Sequence, residues 1–180
     1  AKTASLDSAI IRGVDDPFDA EGGLRVVSGE PGRAIVKVSA VAPEFRRIRA
    51  PAIVFKDQDA FVNAFENRQL DRDFVAVLPW QGPKAVGMPE LHRLTPYLGL
   101  LQERGFKVAL MTDGRMSGAS GKVLAAIQVS PEAAAGGAIG KIRDGDIVEI
   151  DAQAGLLSIS VEDNFCDRLL EVPELGASHV

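Results

Sequence analysis

The sequence predicts a β-rich α/β domain, barrel-like and covered by a few helices. Three features point there. Short branched or aromatic apolar runs recur along most of the chain, only two long segments carry helical periodicity, and those two alternate with strand-like runs. A doubly wound sheet would need a helix after nearly every strand, and the second half of the chain has none to offer. At 180 residues, with 46% hydrophobic and 25% charged side chains, the chain suits one domain with a substantial core.

Residues 1–23 are rich in Asp, Gly and polar groups, so an irregular lead-in or interdomain linker is expected there and the folded unit is expected over 24–180. Segments 24–27 and 34–39 read as strands joined by a turn between Gly29 and Gly32, an antiparallel start, with a third strand at 52–55. Asp57 is placed to cap a helix running to about Gln69, in which Ala60, Phe61, Ala64 and Phe65 keep one apolar face. Then follow a strand at 73–78, a helix at 89–104 carrying Leu91, Leu94, Leu98 and Leu101, and a strand at 107–111. This strand–helix–strand unit calls for parallel pairing. Pro96 is expected to divide that helix, because proline lacks the N–H that a helix interior requires. Beyond it, strands are expected at 125–129, 139–142, 147–150 and 156–161, with a short helical turn at 131–135 and turns at 143–146 and 153–155.

Charge and cysteine content exclude several function classes. A formal net charge of −5 and a pI near 5.1 lack the clustered cationic excess that phosphate backbones demand, so a small molecule or another protein is the expected partner, and no nucleic acid. The apolar runs are of strand length, short of the ~20 residues of a membrane helix, so no membrane span is expected. The amino terminus has neither an initiator Met nor a signal-peptide pattern, and reads as a cut inside a longer polypeptide or a processed start. The single Cys166 allows neither an internal disulfide nor a site built from several thiolates; a reducing, cytoplasmic setting fits, with Cys166 as a small core or helix residue.

Two loops hold the residues that can carry chemistry. Segment 111–122 places Asp113, Arg115, Ser117, Ser120 and Lys122 among three glycines, directly after a buried strand. Such a loop can turn backbone N–H groups toward an anion while Arg115 and Lys122 offer charge-assisted hydrogen bonds; equally, it can be a solvated loop whose cations pair with Asp113. Segment 80–92 also follows a strand. In it, Glu90 falls in the first turn of the expected helix, where a carboxylate is favoured by the helix dipole alone, and His92 has no spacing that singles it out. No zinc-ligand spacing, P-loop, dinucleotide fingerprint or nucleophile elbow is present.

Four ordered segments carry a resemblance: Gly82-Pro83-Lys84 with Gly87-Met88-Pro89-Glu90; Thr112-Asp113-Gly114-Arg115-Met116-Ser117-Gly118; Val129-Ser130-Pro131-Glu132-Ala133; and Asp144-Gly145-Asp146-Ile147. Together they resemble the dihydroxy-acid and 6-phosphogluconate dehydratase family over about residues 22–161, and Met116 followed by Ser117-Gly118-Ala119-Ser120-Gly121-Lys122 is most similar to the 6-phosphogluconate branch. The resemblance implies a swivelling β/β/α barrel, the carboxy-terminal part of an enzyme that removes water from 6-phosphogluconate in the Entner–Doudoroff pathway. It implies Ser117 as the base at C2 and Glu90 as a Mg²⁺ ligand, with Arg115, Lys122, Gly118 and Ser120 around the substrate.

An iron–sulfur cluster, of the 4Fe–4S type, and the remaining Mg²⁺ ligands belong by resemblance to an amino-terminal domain, so this chain alone is expected to bind neither cofactor and to be inactive. The implied partners are a sugar-acid phosphate, that amino-terminal domain and a second copy in a homodimer. A dehydratase for another sugar acid or dihydroxy acid, or a non-enzymatic anion-binding barrel, is the alternative.

Overall fold

A computed structural model of the chain describes residues 6–18, 22–116, 121–170 and 172. Eight strands close into a barrel: β1 (Leu24–Gly29), β2 (Gly32–Lys37), β3 (Arg47–Val54), β4 (Phe74–Leu78), β5 (Val108–Thr112), β6 (Leu124–Ser130), β7 (Ile147–Asp151) and β8 (Leu156–Ser160), in the order β1-β2-β6-β5-β4-β3-β7-β8. β3 to β6 are mutually parallel, with Val77 opposite Met111 and Met111 opposite Ala126. β2 and β7 run against their neighbours, and β1 pairs parallel with β8. Six strands therefore point their carboxyl ends at one mouth of the barrel, called the upper mouth below. The β-rich α/β barrel expected from the sequence is the observed fold.

Alternation along the strands builds two cores. Val75, Val77, Ala109, Met111, Leu124 and Ala126 face inward with Val36, Ile48 and Ile150. Phe74, Ala76, Leu78, Val108 and Leu110 face outward and are buried by two helices, α1 (Gln58–Glu66) and α3 (Leu94–Glu103). Since β4 and β5 are buried on both faces, they read in sequence as continuous apolar runs. Asp57 caps α1, its carboxylate accepting the Ala60 N–H at 2.7 Å. Phe61 and Phe65 of α1 pack against Tyr97 of α3 with ring centroids 6.4 and 4.9 Å apart. The β1–β2 turn falls between Gly29 and Gly32, and only glycine suits Gly32: φ is +114° and a Cβ would sit 2.2 Å from the Ser130 carbonyl oxygen.

Five expectations change. β3 begins at Arg47, not 52, because its first half alternates charged and apolar residues against β7 (Arg49 opposite Glu149) and is a strand of mixed charge. The second long helix starts at Leu94, which puts Pro96 in its first turn, where no N–H is required; the helix is undivided. Residues 139–142 are not a strand but a 3-10 turn over Ala138–Lys141, in which Ile139 and Ile142, three apart, both reach the core. A short helix α2 (Pro83–Val86) was not anticipated. Cys166 is exposed in the 3-10 turn Phe165–Asp167, and so belongs to neither core nor α-helix. Before β1 the described residues form turns and bends only. No helix among the described residues is long and apolar enough to cross a membrane.

Candidate active site

The loops that bear the four sequence segments all leave or enter strands at the upper mouth. Residues 79–91 follow β4, 113–116 follow β5, 131–135 follow β6, and 143–146 precede the antiparallel β7. In α/β sheets, ligands bind at the carboxyl ends of parallel strands, where loops from several strands meet.

Asp113 joins three of these loops. It is 1% exposed, and its carboxylate accepts the N–H groups of Gln81 at 2.8 Å, Ala133 at 2.9 Å and Trp80 at 3.2 Å. Burial pushes its pKa above the usual 3.8, against the lowering effect of these donors. Neighbouring Thr112 donates its hydroxyl to the Leu78 carbonyl at 2.7 Å and accepts the Gly114 N–H at 3.0 Å. The polar residues at the end of β5 are thus spent on holding the loops in place. Among the described residues, Asp113 makes none of the surface ion pairs that the sequence allowed for it.

Glu132 does similar work at the start of α2, its carboxylate accepting the Lys84 N–H at 3.0 and 3.1 Å. Gly82 makes that approach possible, since a Cβ there would lie 1.8 Å from a Glu132 carboxylate oxygen and 2.9 Å from its Cβ. Gly82→Ala is expected to destabilise the chain by about 1–3 kcal/mol through overpacking; urea unfolding followed by circular dichroism measures it.

Glu90 and Arg115 meet in an isolated parallel β-bridge, and the Leu91 N–H donates to the Arg115 carbonyl at 3.1 Å. Their side chains form an ion pair at 3.0 Å, while Arg115 Nε donates to the Met88 carbonyl, also at 3.0 Å. Glu90 is therefore not in a helical turn, as the sequence suggested, and a dipole does not account for it. Gln58 donates to the Glu90 carbonyl at 3.2 Å, fixing the same strip from α1. His92 points to solvent.

Lys122 lies elsewhere. Its carbonyl accepts from Gln102 at 3.4 Å, near the end of α3, and it comes two residues before Leu124, which is opposite Ala109 near the start of β5. The structure thus brings Glu90 and Arg115 together and places Lys122 toward the lower mouth. Ser117, Gly118 and Ser120 lie outside the described residues.

Sequence reading missed the role of Asp113 as a hub, the Glu132 cap and the ion cluster of Arg168 described below. A carboxylate directly after a fully apolar strand, between Thr112 and Gly114, was the available sign for the first. Among the described residues no three His, Cys, Asp or Glu side chains gather as a metal site, and Cys166 lies in the turn after β8. At the Glu90–Arg115 bridge the described residues offer one carboxylate, that of Glu90. That suits Mg²⁺, an ion usually held by one or two carboxylates plus water and substrate. With one exposed thiol, they do not fit an iron–sulfur cluster.

Residues 9–173 match the family model described as "Dihydroxy-acid/6-phosphogluconate dehydratase C-terminal". The phosphogluconate dehydratase of Pseudomonas aeruginosa is 60% identical over 159 residues, covering 88% of this chain and 26% of that protein. Its Escherichia coli K12 counterpart is 52% identical over 98% of this chain and 29% of its own length. A dihydroxy-acid dehydratase of Halothermothrix orenii is 41% identical over 97% of this chain and 32% of its own. The chain spans between a quarter and a third of these relatives. On the extent of these matches, the chain belongs to the dihydroxy-acid/6-phosphogluconate dehydratase family, matching its C-terminal model.

Proposed function

We propose that this chain forms one wall of the active site of a cytoplasmic hydro-lyase that converts 6-phosphogluconate to 2-keto-3-deoxy-6-phosphogluconate and water in the Entner–Doudoroff pathway. In this reading Glu90 is a ligand to Mg²⁺ at the carboxylate end of the substrate, and Ser117 takes the C2 proton. Arg115, Gly118 and Ser120 are its proposed substrate contacts; Lys122, toward the lower mouth, is not one of them. An iron–sulfur cluster held by the amino-terminal part, in a homodimer, would supply Lewis acidity toward the departing C3 hydroxyl. A serine hydroxyl is too weak a base unless nearby positive charge stabilises the alkoxide, so Ser117 is useful only beside such charge.

The observation that carries this reading is the Glu90–Arg115 bridge. It holds the backbone two residues before Ser117 alongside Glu90, although 27 positions (117 − 90) separate Ser117 from Glu90 in the sequence. Arg115 also orients the Glu90 carboxylate through their ion pair, as a metal ligand requires. Relatives named phosphogluconate dehydratase at 52–60% identity, against 41% for a dihydroxy-acid dehydratase, favour the phosphorylated sugar acid.

The test joins this chain to the upstream domain, reconstitutes the cluster anaerobically, and compares 6-phosphogluconate, gluconate and 2,3-dihydroxyisovalerate. Preferred turnover of 6-phosphogluconate is expected; preference for another acid refutes the substrate, and absence of turnover with cluster and Mg²⁺ loaded refutes the enzyme. Arg115→Ala is expected to raise the Mg²⁺ concentration for half-maximal activity by about 10–100-fold, the usual effect of removing a partner that orients a ligand. Glu90→Gln should weaken Mg²⁺ dependence at least as much.

A further inference from the structure

A cleft of about 510 Å³ opens at the upper mouth, between the ends of β3 and β4, the segment leading into β7, and Leu169 and Val172. Its size lies within the few hundred to ~1,000 Å³ typical of small-molecule sites. Val54, Phe55 and Trp80 give it apolar walls, and among the described residues Lys56, Lys141 and Arg143 stand around it with one carboxylate, Asp144. That carboxylate is engaged, accepting the Val54 N–H at 2.6 Å. The described lining thus carries three cations to one anion, in a chain whose formal net charge is −5.

The cations are loosely held. Lys56 approaches Asp57 only to 4.0 Å and Arg143 approaches Asp163 only to 3.9 Å, with side chains 75% and 50% exposed. Exposed pairs of this length contribute little and yield readily to a doubly charged oxyanion. Lys141 donates to the Cys166 carbonyl at 3.1 Å, which leaves its ammonium two further protons. The cleft is also tied to the candidate active site. Gln81 donates to the Lys56 carbonyl at 3.3 Å, and Gln58, two residues beyond Lys56, donates to the Glu90 carbonyl. Residues 56–58 thus run between the cleft and the Glu90 strip, and Trp80, mostly buried in the barrel core, borders the cleft.

We propose that this cleft binds the phosphate end of a sugar-acid phosphate, with Lys56, Lys141 and Arg143 as the residues that separate phosphorylated from unphosphorylated acids. The assignment rests on the reading of Glu90 as the carboxylate-end site. Trp80 is the only tryptophan of the chain and lines the cleft, so its fluorescence reports occupancy without any turnover. Titration of the 180-residue chain at constant ionic strength with 6-phosphogluconate, inorganic phosphate and gluconate is expected to show saturable changes with the first two only. In parallel, amide NMR shifts should concentrate at residues 54–56 and 140–144. Lys56→Ala with Arg143→Ala should weaken both phosphate ligands by at least ~10-fold, while the double arginine-for-lysine exchange Lys56→Arg, Lys141→Arg keeps binding.

No saturable shift in either signal with phosphate, or equal response to gluconate, overturns the proposal. In the full-length enzyme, the Lys56→Ala, Arg143→Ala pair should raise KM for 6-phosphogluconate and leave kcat unchanged. An unchanged KM refutes the cleft while sparing the dehydratase reading. Phosphate binding here in an enzyme that turns over only unphosphorylated acids refutes that reading while sparing the cleft.

Discussion

Asp113→Ala is expected to destabilise the chain by about 4 kcal/mol, since it strands the buried N–H groups of Trp80, Gln81 and Ala133 at a cost of ~1–3 kcal/mol each, partly offset by relaxation. Urea unfolding by circular dichroism gives the number, and a loss below 1 kcal/mol would show that water or neighbouring groups replace the carboxylate. Asp113→Asn keeps the shape and one acceptor oxygen but sets an amide N–H₂ against at least one backbone donor, so an intermediate loss is expected.

The pH dependence of that comparison has a definite sign. Burial raises the folded-state pKa of Asp113 above its ordinary 3.8, so folding favours the protonated form. The stability this contributes is present below 3.8 and is lost as pH rises through the raised value. Relative to Asp113→Asn, which does not titrate, the native chain should thus lose ground as pH rises from about 4 and level off above the folded-state value. A difference that grows with pH would mean that the backbone donors outweigh burial.

The second large effect is at Arg168, which is 8% exposed and anchors the segment after β8 to the turn before β7. Its guanidinium meets Asp146 through both terminal nitrogens, one contact at 2.9 Å, reaches Asp163 from Nε at 2.9 and 3.0 Å, and donates to the Lys141 carbonyl at 3.2 Å. Asp146 also accepts the Arg143 N–H at 2.8 Å and is itself 8% exposed. Arg168→Met leaves the Asp146 carboxylate buried without its cation, and a loss of about 3 kcal/mol is expected.

Adding Asp146→Asn should recover part of that loss, because it removes the stranded charge. A double variant no better than the single one would show that Arg168 acts through packing alone. Asp163 is held below the ordinary carboxylate range chiefly by its hydrogen bond to Arg168. That part of the stability is present above 3.8 and is lost as pH falls through the lowered value, and Arg168→Met should abolish this acid-side dependence. Since Lys141 and Arg143 flank the cluster, the same variant also tests whether the cleft keeps its shape.

Strand and helix identity was legible wherever local physics decides it. β4 and β5 are buried throughout and, apart from Thr112, apolar because both faces are covered, α1 is announced by the Asp57 cap and its i, i+3, i+4 pattern, and the β1–β2 hairpin by its flanking glycines. Closure into a barrel followed from many strands and few helices. The motif segments, too, were visible as sequence, and the family match agrees with them.

Only the tertiary structure decided what each motif residue does, because those roles depend on partners tens of positions away. Asp113 is spent on N–H groups 32 and 33 residues upstream and 20 downstream, Glu132 on α2 at a distance of 48, and Glu90 on Arg115 across a bridge that no local periodicity encodes. The turn at Ala138–Lys141 looked like a strand because spacing of three between Ile139 and Ile142 does not by itself separate a 3-10 turn from extended chain. Hydrophobic pattern specifies which face is buried. Which polar group meets which loop is specified by the register of parallel strands brought together from distant parts of the chain.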